Sequence, residues 1–192
     1  MLKRISLALA ITAAATLPAF AHLDPIEHGS FAAGFSHPLF GLDHILAMIA
    51  VGLWAAMQGG RAIWLVPAAF VGTMALGFVA AIVGMPLPFV EPVILASVIF
   101  IGIAIALALP VPTGAVAAMV GFFAFFHGHA HGGELGEAGA WQFAIGFVIA
   151  TGVLHAVGIG AGLCFGRFGG KALSRLAGAA TALGGLWLAF GA

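Results

Sequence analysis

Six long apolar runs, separated by connections of a few residues each, decide what this chain can fold into. They lie at about 38–58, 62–84, 91–109, 113–131, 139–163 and 172–191. Each is near the roughly 20 residues that a helix needs to cross a bilayer core. Lipid offers the backbone no hydrogen bonds, so only helices or closed barrels can span it. The runs are continuous and do not alternate apolar with polar, which selects helices over strands. Charged residues make up only 6% of the chain against 63% hydrophobic ones, whereas a soluble domain carries about a quarter charged. The chain has too little polar surface to cover a soluble fold. The expectation is an all-α integral membrane protein, a six-helix transmembrane bundle. Connections such as "QGGRA", "PVPT" and "CFGRFGGK" are short enough to make sequential spans antiparallel neighbours, and residues 22–192 read as a single domain.

The first residues differ from the rest. "MLKR" is a basic start, "ISLALAITAAATL" a short apolar stretch, and "AFA" a small-x-small site. This pattern predicts a signal peptide over residues 1–21, cleaved after Ala21. Cleavage leaves the new N-terminus outside the cytoplasm and fixes the alternation that follows. Arg61, Arg167, Lys171 and Arg175 then fall inside, as the positive-inside bias requires. Asp24, Glu27, Glu91, Glu134 and Glu137 fall outside, with Asp43 near the outer end of span one. Both termini are expected in the periplasm of a bacterium, around an inner-membrane bundle. His22, Asp24, Glu27 and His28 read as a solvated tail or as a cation-gathering mouth.

Other features narrow the function. The formal net charge is zero with six basic residues, which disfavours nucleic acid as a partner. The single cysteine, Cys164, excludes an intramolecular disulfide and is expected to pack as a small apolar residue. Glycine, at 29 residues, lets helix backbones approach closely. Gly152, Ala156 and Gly160 form one such stripe, and Gly178, Ala182 and Gly185 form another. Close packing leaves little internal volume and favours a small substrate. Nothing in the sequence fixes an oligomeric state.

Ionisable side chains inside a span are costly, and each one is a functional candidate. "GFSHPLFGLDHILAMIAVGLW", beginning at Gly34, places several at the mouth of span one. Pro38 suits a first helical turn, with Ser36 or His37 as cap. On a helix starting there, His37 and His44 lie seven apart on one stripe. Met48 continues it and Asp43 flanks it. The second group is "FFHGHAHGGELGE". His127 and His131 are four apart, a common metal-chelating spacing, and Glu134 follows three later. His129 joins them only if the segment unwinds, which its glycines permit. Antiparallel topology brings both groups to the outer half of the membrane. His155 lies deeper in span five, either as a second station or as a packed histidine. Imidazole with some carboxylate suits Ni, Co, Zn, Cu or Fe, with selectivity left to geometry.

The motifs H-P-x-x-G-x-D-H-x-x-x-M and F-H-G-x-A-H-G-x-E, as "HPLFGLDHILAM" and "FHGHAHGGE", resemble the HupE/UreJ family of nickel and cobalt permeases. The resemblance covers essentially the whole chain. It implies secondary uptake of Ni²⁺ or Co²⁺ for hydrogenase, urease or cobalamin assembly, with no permanently bound cofactor. It carries metal-binding or transport roles onto His37, Asp43, His44, His127, His131 and Glu134. His129 stands at the variable position of its motif.

The residues leave two further readings open. A His₂-carboxylate zinc site with an open position would make an intramembrane hydrolase. A pair of histidines could bind haem, although there is no c-type attachment motif. There is no P-loop, so a permease would run on the membrane potential or on a coupled ion.

Overall fold

A computed structural model describes residues 31–134 and 139–191. The expected signal peptide, the His22–His28 tail and Glu137 lie outside them, as does the side chain of Glu134. Every regular element among the described residues is helical. A short helix α1 (Phe31–Ser36) leads through a 3₁₀ turn (His37–Leu39) into α2 (Leu42–Gln58). There follow α3 (Ala62–Ile82), α4 (Val90–Leu107), α5 (Thr113–Glu134), α6 (Ala140–Phe168) and α7 (Gly170–Phe190). Helices α3 to α7 are each long and apolar enough to cross a membrane. The α1–α2 pair, bent by 80° at its break, makes a sixth if its two helices cross as one span. The protein is an integral membrane protein, and its outer faces fit that. Trp64, Leu76, Phe122, Ile145 and Leu183 are all exposed, a surface that water would not tolerate.

Two expectations about the spans are corrected. The first span is not one helix from Pro38. The 3₁₀ turn ends at Leu39, and Gly41 is extended at φ −81°, ψ 115°, so α2 starts only at Leu42. The fifth span runs five residues past its expected end, to Phe168. "CFGRFGGK" is therefore mostly helix, and Gly169 alone joins α6 to α7. Cys164 lies on the extended α6 and is exposed rather than packed inside.

Glycines set the helix pairs. A Cβ on Gly128 or Gly132 of α5 would collide with the backbone of Met74 or Phe78 on α3. One on Gly77 would collide with Phe125 in return. Gly128-x-x-x-Gly132 is thus the close-approach motif of this pair. Helices α2 and α6 meet in the same way through Gly52 and Gly158. Helices α4 and α7 meet through Gly102, Gly178 and Gly185. The expected α7 patch is therefore a packing face. The expected α6 stripe is not, because Gly152 and Gly160 have nothing within 4 Å of an added Cβ. The packing glycines of α6 are Gly146, Gly158 and Gly162 instead. Gly146 receives Phe31 and Phe35, which lays α1 across α6.

Arg61, Arg167, Lys171 and Arg175 all sit at one end of the bundle. There Gln58 Nε2 donates to Val111 O at 3.0 Å, and Arg175 Nε donates to Ala106 O at 2.7 Å. The opposite end holds the 3₁₀ turn, the start of α2 and the end of α5.

Candidate functional site

The bend in the first span makes the site. Because the chain turns at Phe40–Gly41, His37 and His44 do not lie on one helical stripe. They reach each other across the corner, with ring centroids 6.4 Å apart. Gly41 leaves the space they need. A Cβ there would stand 3.0 Å from both Asp43 Oδ1 and His44 Nδ1. Those two atoms are themselves 3.0 Å apart. A carboxylate can only accept, so His44 Nδ1–H donates to Asp43. In the neutral ring that leaves His44 Nε2 with its lone pair directed inward.

Helix α5 supplies the partner. His127 and His131 each precede one of the glycines that seat α5 on α3. They are therefore turned about 100° from that seam, into the bundle interior. His131 Nε2 lies 2.5 Å from His44 Nε2. The His131 ring stacks edgewise on His37 at 4.5 Å and on His44 at 4.6 Å between centroids. The His127 ring is 5.2 Å from that of His44. Four imidazoles from three elements are thus contiguous, and His44, His127 and His131 are buried. His127 Nδ1–H donates to Phe123 O at 2.9 Å, which leaves its Nε2 deprotonated. That Nε2 is buried with no hydrogen-bond partner among the described residues. No three His, Cys, Asp or Glu side chains among the described residues already converge on one metal position. The imidazoles meet in pairs.

His155 is the deeper member. The Phe70 ring stands between it and His127, 5.0 Å from the one and 5.6 Å from the other. Neither ring nitrogen of His155 meets a hydrogen-bond partner among the described residues. An unmet buried polar atom costs about 1–3 kcal/mol, which is a heavy penalty for a residue that only packs.

The remaining candidates fall differently. His129 is not part of the group. Its Nε2–H donates to Met85 O at 2.7 Å, in the α3–α4 connection, because α5 stays helical through its glycines. Met48 is fully buried one turn beyond His44, within the apolar core. Glu134 ends α5 one turn after His131. Sequence reasoning missed the aromatic wall. Phe147 packs on His131 at 4.7 Å, and Phe143 packs on His37 at 5.7 Å. Phe147 and Phe143 sit four apart in an apolar helix, a spacing that ordinary packing also produces. Gly41 was visible in its motif, but its purpose emerges only with the bend.

The family profile described as HupE / UreJ protein matches residues 9–188. Protein HupE of Rhizobium leguminosarum bv. viciae is 47% identical over 182 residues, covering 93% of this chain and 95% of that protein. No solved structure matches. The chain belongs to the HupE/UreJ family, whose members are membrane transporters rather than enzymes.

Proposed function

We propose that the protein takes up a divalent transition-metal ion, Ni²⁺ or Co²⁺, across the bacterial inner membrane, and that the imidazole cluster is its capture site. The observation that carries this reading is the approach of His44 Nε2 to His131 Nε2, with Asp43 behind His44. A carboxylate that orients an imidazole and sharpens its basicity is the usual second layer of a histidine metal site. Asp43 then acts through His44. His37 and His127 complete the donor set, and His129 stands outside it. Two nitrogens that share one ion at about 2.0–2.1 Å each stand about 3 Å apart or more. The pair therefore opens by roughly half an ångström or more to admit the cation.

With the basic end in the cytoplasm, the cluster faces the periplasm and both termini lie outside. A captured ion moves past Phe70 to His155. The membrane potential supplies the work. An ion of charge two gains about 4.6 kcal/mol crossing 100 mV, at about 2.3 kcal/mol per charge. That sustains about a thousandfold accumulation, at about 1.4 kcal/mol per decade. The hydrolase reading finds no support in the family, whose members are transporters rather than enzymes.

Proteoliposomes holding the purified protein test the proposal. Radioactive nickel should enter when an inside-negative potential is imposed with potassium and valinomycin, and should stop entering when the potential is collapsed. Entry no faster than in protein-free vesicles at every potential would refute it.

A further inference from the structure

The basic end of the bundle contains a cavity of about 660 Å³. Met57 and Gln58 of α2, Pro110 of the α4–α5 connection, Gly162 of α6, and Lys171 and Ser174 of α7 line it. Its innermost lining residue on α2 is Trp54, which is only 2% exposed. The packing of α2 on α6 fixes the levels. Gly52 lies against the carbonyl of His155, and Gly158 lies against Ile49 and Leu53. Gly162 then lies against Leu53 and Ala56. The cavity's first residue on α6 is Gly162, about two helical turns beyond His155, and Trp54 sits on α2 between those two levels.

The lining chemistry indicates what the cavity is for. Among the described residues, its lining holds no carboxylate, imidazole or thiol, and its one charged group is the cation of Lys171. Such a space offers a divalent transition-metal ion none of the anionic or imidazole ligands that would retain it. It is large enough to rehydrate one, since six waters occupy only about 180 Å³ at about 30 Å³ each. We infer that this cavity is the chamber into which the ion is released, and that Trp54 is the inner barrier between it and the buried histidine path. The inference rests on the transport reading above, but its test does not require transport.

The test is thiol labelling in a Cys164→Ser background, with Met57→Cys or Val51→Cys as the reporter. Val51 is fully buried and lies one turn before Trp54 on the same face. The probe is a membrane-impermeant sulfonated methanethiosulfonate applied to inside-out vesicles or to intact spheroplasts, without metal. Met57→Cys should react from the cytoplasmic side only, and Val51→Cys from neither. Adding Trp54→Ala should raise the Val51→Cys rate in inside-out vesicles at least tenfold. Adding Trp54→Phe should leave it protected, and Ala124→Cys, buried on α5, should stay protected throughout. The inference is overturned if Val51→Cys reacts with Trp54 in place or stays closed in Trp54→Ala. It is equally overturned if Ala124→Cys opens alongside Val51→Cys, which would make Trp54 a packing residue. Vesicles that move no nickel would still return either answer, so failed uptake counts against the transport reading alone.

Discussion

His44 and His131 are 87 residues apart in sequence, yet their Nε2 atoms meet at 2.5 Å in the buried interior of the bundle. One helix carrying both could not arrange this. It needs the corner at Gly41, which swings the start of α2 inward, and the glycine seam of α5, which turns His131 toward it. Two neutral imidazoles at that distance share one proton. His44 Nδ1–H is committed to Asp43, so His131 Nε2–H is the donor and His44 Nε2 the acceptor. For His131 Nε2 to ligate a cation beside His44 Nε2 in the proposed site, its proton must shift to Nδ1 of the same ring, which keeps the imidazole neutral.

His44→Ala and His131→Ala should each reduce cellular Ni²⁺ and Co²⁺ accumulation more than tenfold while the protein still inserts. His129→Ala should retain most of the uptake, because His129 holds the α3–α4 connection through Met85 and not the cluster. Metal content of cells expressing each variant, normalised to membrane protein level, checks this.

Asp43→Ala should raise the nickel concentration for half-maximal uptake by about 10–100-fold, the usual effect of losing a group that orients a ligand. Asp43→Asn keeps an acceptor for His44 Nδ1–H and should fall in between. Initial rates in proteoliposomes across a nickel series separate this loss of affinity from a loss of maximal rate.

Protons and the cation compete for the same imidazole lone pairs. A doubly protonated ring cannot ligate, so uptake weakens on acidification. At a fixed imposed potential, the apparent affinity for nickel should fall as the external pH is lowered, with the maximal rate recovered at high nickel. An affinity that rises in acid would mean that ligands other than imidazole dominate.

Gly128→Ala pushes a methyl group into the Met74 carbonyl across the α3–α5 seam, and overpacking of this kind costs about 1–3 kcal/mol. It should lower the thermal stability of the detergent-solubilised protein and reduce uptake, since the seam aims His127 and His131. Gly152→Ala meets nothing within 4 Å and should be neutral in both measurements.

The contrast between Gly128 and Gly152 shows what the sequence made legible. Helical type and approximate bounds followed from apolar run length, because the bilayer enforces them. The convergence of His37, His44, His127 and His131 followed from short connections alone. The choice of packing stripe did not. A stripe of small residues has the same periodicity whether it faces a helix or lipid, so Gly152–Gly160 read like Gly178–Gly185. The bend at Gly41 was also hidden, since Pro38 suits the start of a helix as well as the 3₁₀ turn that it forms. The aromatic wall of Phe143 and Phe147 carries no signature that distinguishes it from core. His129 could have faced either way, and the continuity of α5 through Gly132 and Gly133 decided it.

Nitrogen donors from α2 and α5 that hold one cation together should be counted in its coordination. Nickel K-edge X-ray absorption of the loaded, purified protein tests this most directly, comparing wild type with His44→Gln and His131→Gln. Wild type should show multiple-scattering features of at least two imidazoles, with one fewer, or no bound nickel, in each variant. An imidazole count and nickel occupancy unchanged in both variants would contradict a site shared by the two helices.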